Sequence, residues 1–285
     1  MATHFSDSEA PVLLLADMGN TAIKLALAHD IAPVQSACIT PPYTLPTTGG
    51  YTPDSLGLTL LSLLSHARVA PENLAACVAS SVVPGLDPIL AEACTKYLHC
   101  RTLFAPRDLP VPLTNAYERP QEVGADRLVG AWAARLRHPG IPSLLVVDFG
   151  TALTIDCVQE QSYLGGLIFP GPETALQGLA RGAAKLPQVN LHIEDTEPSP
   201  GKSTVTSIQH GIVFGFVSLV EGLCQRLAGT MPQPLRVVGT GGFAASIARV
   251  SSVFDEVASS LVLEGLLHLF ANSEKMATSQ RNCIL

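Results

Sequence analysis

The sequence predicts an α/β protein made of two similar halves, and two observations carry that expectation. Apolar strand-like runs alternate with helical patterns along the chain, as they do in α/β architecture. The same short unit also occurs twice, as "LLLADMGNTAIKLALA" at 13–28 and "LLVVDFGTALTIDCV" at 144–158. In each copy an apolar run ends in Asp-x-Gly followed by Asn or Thr, and a second run with period-two apolar spacing follows. Each copy therefore reads as strand, polar turn and strand.

One Asp-x-Gly by itself is a tight turn, because Gly tolerates positive φ and Asp can bond its own backbone. Two copies, each opening its own half of the chain, suggest a nucleotide held between lobes. In such turns backbone amides and small side chains lie close to phosphates. The two aspartates, Asp17 and Asp148, would organise cations against the triphosphate. Lys24, three residues after Thr21, is the nearest candidate for a direct phosphate contact.

The remaining elements follow in order. After the first hairpin comes a Pro-, Thr- and Gly-rich connection, "TPPYTLPTTGGYTP" (40–53), then Asp54 as the expected N-cap of a helix through "SLGLTLLSLLSHA". "LAACVASSVV" reads as a buried strand, "LDPILAEACTKYL" as a helix, and "ADRLVGAWAARLRH" as a helix with Leu128, Trp132 and Leu136 on one face. The second half is expected to run hairpin, loop, a long helix from about Ser207 to Leu227, the strand "LRVVGTGG" and a terminal helix through "VLEGLLHLFAN".

Composition bounds the function. At 285 residues, 47% hydrophobic and 14% charged, the chain is long enough for two well-filled cores. With 17 basic against 24 acidic residues, a net charge of -7 and no basic cluster, no nucleic-acid partner is expected. The start "MATHFSDSEAPV" lacks the pattern of a signal peptide, and no run of 18 apolar residues occurs. The apolar stretch "GIVFGFVSLVEGL" carries Ser218 and Glu221 and is read as a core helix. The expectation is a cytoplasmic protein with no membrane partner. Seven cysteines, odd in number and without a CxxC pair, argue against both a zinc site and a disulfide framework. The eight histidines are dispersed, and no transition-metal site is expected.

Two further motifs are set aside. "GKST" at 201–204 looks like the end of a P-loop, but Thr196 stands where that pattern needs Gly, and "EDTEPSP" before it is not a strand. "VVGTGGFAA" at 237–245 fits G-x-G-x-x-A, but too little chain follows Gly239 to build a dinucleotide-binding fold.

The chain resembles the type III pantothenate kinases, members of the acetate and sugar kinase, Hsp70 and actin superfamily. The resemblance is carried by "DMGNTAIK" (17–24), "SSVVP" (80–84), "YERPQEVGADRLV" (117–129), "VVDFGTALTID" (146–156), "GGLIFPG" (165–171), "AAKLP" (183–187), "GKSTVTSIQHGIVFGFVSLVEG" (201–222) and "GTGG" (239–242). They keep the family's order and approximate spacing over almost the whole chain. Ala22 and Leu153 depart from its usual pattern, and the connection 40–53 and the tail after Phe270 lie outside the motifs.

The resemblance implies two ribonuclease H-like, actin-like lobes, 1–140 and 141–285, with a nucleotide cleft between them. It implies ATP-dependent phosphorylation of pantothenate to 4'-phosphopantothenate, the first step of coenzyme A synthesis. Asp126 in "GADR" would be the catalytic base. Gly124, Ala125, Asp126 and Arg127 would contact pantothenate, with Tyr117 and Thr204 as further contacts; the planar guanidinium of Arg127 suits the pantothenate carboxylate. Asp17, Met18, Gly19, Asn20, Thr21, Ala22, Ile23, Lys24 and Thr151 would bind ATP, with Asp17 near the magnesium. Asp148 would bind the monovalent cation, potassium or ammonium, that the family typically requires. The family is dimeric, which implies a homodimer. Gly211, Gly215 and Gly222 on the long helix, where Gly costs up to about 1 kcal/mol per site relative to Ala, point to close packing of that helix near the interface. A non-enzymatic ATP-binding regulator on the same fold is the alternative; an NAD-dependent oxidoreductase is disfavoured by the two hairpins.

Overall fold

The structure is a computed structural model that describes residues 11–31, 34, 37–183, 186–192 and 196–282, the side chains of 277–282 excepted. Ala184 and Lys185 of the "AAKLP" motif and Cys283 lie outside the described residues. Contacts divide the chain into two compact units, each discontinuous in sequence. Unit 1 holds residues 1–111, 124–129 and 262–285, and unit 2 holds residues 112–123 and 130–261.

Unit 1 is built on the first hairpin. Strands β1 (Val12–Met18) and β2 (Ala22–His29) pair antiparallel in unbroken register from Leu13↔Ala28 to Met18↔Ile23. Two short strands, β3 (Cys38–Ile39) and β4 (Tyr43–Pro46), pair with β2. The connection expected over 40–53 thus contains a strand. Helix α1 (Pro53–Ala67) follows, then β5 (Leu74–Ser81), helix α2 (Asp87–Ala93) and β6 (Thr102–Ala105). Strand β5 lies parallel to β1, and β6 parallel to β5. The sheet order is β3-β2-β1-β5-β6.

Alternation along these strands sorts their faces. Leu14, Ala16, Met18, Ile23, Leu25, Leu27, Cys77 and Ala79 enter one core with Leu56, Leu60 and Leu64 of α1 and Leu90 of α2. Asp17, Lys24 and Ser80, which are register partners, share the opposite face.

Two local expectations are corrected. The N-cap of α1 is Thr52, not Asp54. Thr52 accepts the Ser55 N–H at 3.2 Å while Ser55 Oγ accepts the Thr52 N–H at 3.0 Å, and Pro53 occupies the first helical position. Asp54 instead accepts from Lys96 Nζ at 2.6 Å and Tyr97 Oη at 2.7 Å. The helix expected through "LDPILAEACTKYL" is α-helical only to Ala93 and continues as a π-turn, Cys94–Leu98.

In unit 2 the plan recurs. After β7 (Thr114–Asn115) and helix α3 (Ala125–Arg137), whose residues to Val129 belong to unit 1 and the rest to unit 2, the second hairpin forms from β8 (Ser143–Phe149) and β9 (Ala152–Gln159), and β10 (Ser162–Pro170) extends it antiparallel. Helices α4 (Pro172–Gly182) and α5 (Thr204–Ala228) lead to β11 (Leu235–Gly241), which is parallel to β8. A short helix α6 (Ala244–Ile247) and strand β12 (Glu256–Val257) follow, and helix α7 (Leu261–Asn282), which from Val262 onward belongs to unit 1, completes the chain. The order β12-β11-β8-β9-β10-β7 repeats that of unit 1: a central strand flanked by its hairpin partner on one side and parallel strands on the other. Leu145, Val147, Phe149, Leu153, Ile155 and Cys157 enter the core of this unit with Val217 and Val220 of α5. Asp148, Thr154, Asp156 and Thr240 take the other face of the sheet.

Helix α5 differs from its reading as a core helix. Ile208, Val213, Val217, Val220 and Cys224 form one buried stripe, whereas Gly211, Gly215 and Ser218 are exposed. It is long and apolar enough to cross a membrane by length and composition, yet its Val217 and Val220 are core residues of unit 2. The expected loop before it contains α4. Leu153, one of the two departures from the family pattern, is fully buried beside Phe149 and Ile155, so this exchange is one of core packing.

Candidate functional site

The turn after β1 places the first group of candidates. Gly19 N–H donates to Ala22 O at 3.0 Å and closes the hairpin, leaving Asn20 and Thr21 exposed at its tip and Asp17 and Lys24 half-buried at its base. Asp17 and Lys24 are direct cross-strand partners, and opposite charges there attract. On the parallel side Asp17 pairs with Ser80, which is fully buried. These positions are the carboxyl ends of β1 and β5, where open α/β sheets bind ligands. Met18 and Ile23 are buried in the core, so of the eight residues expected at ATP, 17–24, these two support the turn through their backbone.

Asp126 stands in the first turn of α3, where a carboxylate interacts favourably with the helix dipole. Its Oδ1 accepts the Arg127 N–H at 2.8 Å. Burial pushes its carboxyl above the ordinary aspartate value; the Arg127 N–H and the charges of Arg127 and Lys24 pull against that shift without cancelling it. Lys24 thus lies close enough for its charge to reach Asp126. Gly124 makes the arrangement possible, because a Cβ there would fall 2.5 Å from Asp126 Oδ1. Ala125 is buried behind the carboxylate-bearing turn.

The second turn is closed in a similar way but is one residue shorter. Gly150 N–H donates to Ala152 O at 3.1 Å, Gly150 and Thr151 are exposed, and Asp148 is half-buried. Asp148 pairs across β9 with Thr154 and across β11 with Thr240. Gly241, at φ +89°, packs its bare backbone on the carboxylate, where a Cβ would lie 2.3 Å from Asp148 Oδ1. "GTGG" therefore has a steric role beside Asp148, and Gly242 N–H ties the segment to Phe149 O at 3.1 Å.

Tyr117 and Thr204 both belong to unit 2. The ring of Tyr117 lies on the backbone of Gly165, at φ +118° and 3.2 Å from where a Cβ would be. An Asn115 side chain accepts the Tyr117 N–H at 3.1 Å and donates to Pro120 O at 3.1 Å, which shapes the loop. Thr204 opens α5 behind the capping residue Ser203 and lines an open cavity of about 670 Å³ with Leu179, Leu186, Ser207 and Ile208, a size usual for small-molecule sites. The element before "GKST" among the described residues is helix α4, not a strand.

Several residues of these sites had no assigned role in the sequence. Thr47 and Thr174 each donate a hydroxyl to a turn carbonyl, at 2.6 Å to Gly19 O and 2.6 Å to Thr151 O. No spacing marks them, because both reach the turns from other elements. Asp156 is buried and accepts from Tyr163 Oη at 2.7 Å and Thr154 Oγ1 at 3.2 Å; its sequence signal is a carboxylate inside an otherwise apolar strand. Among the described residues no group of three or more His, Cys, Asp or Glu could hold a metal ion. Burial pushes the Cys224 thiol up to about 12; in the unit 1 core Cys94 is raised, its bond with Cys100 pulling down while Cys77 and burial push up, and Cys100 is raised chiefly by its bond with Cys94. Thiols held protonated in this way are poor nucleophiles.

Comparison with known proteins identifies the family. A family model described as type III pantothenate kinase matches residues 13–226. A type III pantothenate kinase of Desulfovibrio desulfuricans is 62% identical over 260 residues, covering 91% of this chain and 97% of its own. One from Nitratidesulfovibrio vulgaris is 52% identical, covering 90% and 96%. Among solved structures, a protein described as a Baf family transcriptional activator from Campylobacter jejuni aligns with a TM-score of 0.53 over 92% of this chain and 99% of its own. At 17% identity that likeness shows a shared fold alone. With the sequence matches spanning both Asp-x-Gly turns, Asp126 and the head of α5, the chain belongs to the type III pantothenate kinase family.

Proposed function

We propose that the protein is a pantothenate kinase that transfers the γ-phosphate of ATP to pantothenate, giving ADP and 4'-phosphopantothenate. The observation that carries this reading is Asp126, a carboxylate raised by burial at the head of α3, in a chain so similar to type III pantothenate kinases. The substrate hydroxyl oxygen attacks the γ-phosphorus, the bond to the bridging oxygen breaks, ADP leaves, and the hydroxyl proton passes to Asp126. A carboxylate with a raised pKa is a better acceptor for that proton than an ordinary aspartate.

The remaining roles divide by residue chemistry. Residues 17–24 and Thr151 handle ATP, with Lys24 placed to contact a phosphate. Gly124, Ala125 and Arg127 bind pantothenate beside the base, and the buried NH2 of Arg127 suits a carboxylate held in a fixed plane. Tyr117 and Thr204 complete the substrate contacts. Magnesium bound with ATP would neutralise triphosphate charge, with Asp17 as its protein partner; potassium or ammonium would sit at Asp148. The residue fits a hard cation, because its half-buried carboxylate offers oxygen ligands.

The reading includes a cytoplasmic homodimer. The exposed Gly211, Gly215 and Ser218 of α5 offer a face on which a second copy could pack closely. Light scattering at micromolar concentration tests it, and a monomer mass would sink it.

The test of function is ATP-dependent phosphorylation of pantothenate with and without potassium, alongside Asp126→Asn. Activity that needs potassium and collapses in the variant supports the assignment. A folded protein that binds ATP and leaves pantothenate untouched would favour the regulator instead.

A further inference from the structure

We propose that Thr47 and Thr174 are positioning residues that hold the two Asp-x-Gly turns in their phosphate-binding conformation, one in each unit. The inference rests on the assignment of those turns to ATP. In unit 1 Thr47 Oγ1 donates to Gly19 O at 2.6 Å, and Thr47 N–H donates to Thr21 O at 3.0 Å. One threonine therefore holds two carbonyls of a turn whose tip residues, Asn20 and Thr21, are exposed. In unit 2 Thr174 Oγ1 donates to Thr151 O at 2.6 Å, and Gly171 N–H donates to the same oxygen at 2.9 Å. A carbonyl oxygen has two lone pairs, so Thr151 O is fully occupied.

The clamps reach the turns by different routes. Thr47 begins the 3-10 turn after β4, in the connection that carries no family motif. Thr174 lies in the first turn of α4, which comes close because Gly171 has no side chain: a Cβ there would fall 2.1 Å from Gly150 O and 2.8 Å from Thr151 O. Two unrelated elements thus hold corresponding carbonyls by a backbone N–H, Thr21 O and Thr151 O, and each adds a threonine hydroxyl, to Gly19 O in one turn and to Thr151 O in the other.

The physical consequence concerns charge. A carbonyl oxygen turned toward a phosphate repels it, whereas the N–H edge of a peptide attracts it. In a trans peptide the C=O and the following N–H point in opposite directions. Holding Gly19 O against Thr47 therefore sends the Asn20 N–H away from the clamp, and occupying Thr151 O keeps that carbonyl from swinging toward an anion. Turns of Gly, Asn and Thr have many conformations open to them, and the clamps select one before any nucleotide arrives.

The experiment compares wild type, Thr47→Val, Thr174→Val and the serine variants at both positions. Each is measured for KM of ATP, KM of pantothenate, kcat and Tm. Valine keeps the branched shape and removes the donor. Loss of one such bond should raise the KM for ATP about two- to tenfold, leave the KM for pantothenate within about twofold, and be reversed by serine. A fall in Tm with both KM values unchanged would make the threonines simple staples and overturn the proposal. Equal rises in both KM values, or no rescue by serine, would overturn it as well. A wild type that phosphorylates pantothenate while Asp17→Asn and Thr151→Ala leave the KM for ATP unaltered would instead remove the turn assignment itself.

Discussion

Gly241 and Asp148 fit together as surface and side chain: the backbone of Gly241, at φ +89°, occupies the ground beside Asp148 Oδ1 where any Cβ would come within 2.3 Å. The same hypothetical Cβ would also lie 2.7 Å from the backbone of Phe149, which cannot move without disturbing the β8–β11 register. Gly124 and Asp126 repeat the relationship at 2.5 Å. Both key carboxylates therefore depend on a neighbouring residue that has no side chain.

Gly241→Ala should consequently lower both stability and activity. A non-glycine residue forced to positive φ costs on the order of 1–3 kcal/mol, and displacement of the Asp148 carboxylate should cut kcat and weaken any stimulation by potassium. Gly178→Ala in α4, where a Cβ meets nothing within 4 Å, is the control and should leave Tm unchanged or slightly higher. Thermal melts and potassium titrations of both variants check this.

Asp126→Asn should separate catalysis from stability. Loss of the proton acceptor is expected to lower kcat by about a hundred- to ten-thousandfold. Because burial raises the carboxyl in the folded protein, the fold binds this proton more tightly than the unfolded chain does. Ionisation therefore opposes folding, and the penalty grows as pH rises from the unfolded value through the raised folded one. The variant should melt higher than wild type at neutral pH, and the difference should vanish below the ordinary aspartate range. A lower Tm at neutral pH would contradict the burial argument. The acid limb of wild-type kcat/KM should likewise fall at a pH above the ordinary aspartate value.

Thr52→Ala and Asp54→Ala should distinguish the cap of α1 from its neighbour. Loss of the reciprocal Thr52–Ser55 bonds should cost about 0.5–2 kcal/mol. Asp54 is exposed, and its bonds to Lys96 and Tyr97 are open to solvent, so its removal should cost less. Denaturant unfolding of the two variants gives the order, and neither should change KM.

Tyr163→Phe removes a donor from the buried Asp156 carboxylate while preserving the ring. Leaving a buried acceptor under-satisfied costs about 1–3 kcal/mol. The ring is fully buried and loses no packing, so the drop in Tm measures the hydroxyl–carboxylate bond alone.

Much of the architecture was legible in the sequence for a local reason. The two hairpins announce themselves through alternation and through Asp-x-Gly, since pleat periodicity and turn chemistry are short-range properties. Helices α1 and α3 show in their apolar spacing; Lys24 and the first turn tip stand at the sheet end of unit 1, and the second turn tip at that of unit 2. Strand β4 and the clamp at Thr47 were not legible. "TPPYTLPTTGG" has the composition of a loop, and only pairing with β2 makes part of it a strand. The capping of α1 was missed by two residues, because Thr, Pro and Asp all favour helix starts and only the bonds decide among them.

The amino-acid sequence by itself determined the α/β class, the repeated strand–turn–strand unit, the net charge of -7 and the membership of the kinase family, all readable from residue type and spacing. The tertiary structure alone decided that Gly241 and Gly124 make room for carboxylates, that Thr47 and Thr174 hold the turns, and that Asp126 is raised by burial. Those properties arise from atoms brought together across sheet register and helix packing, and desolvation and close contact have no counterpart along a chain until it has folded.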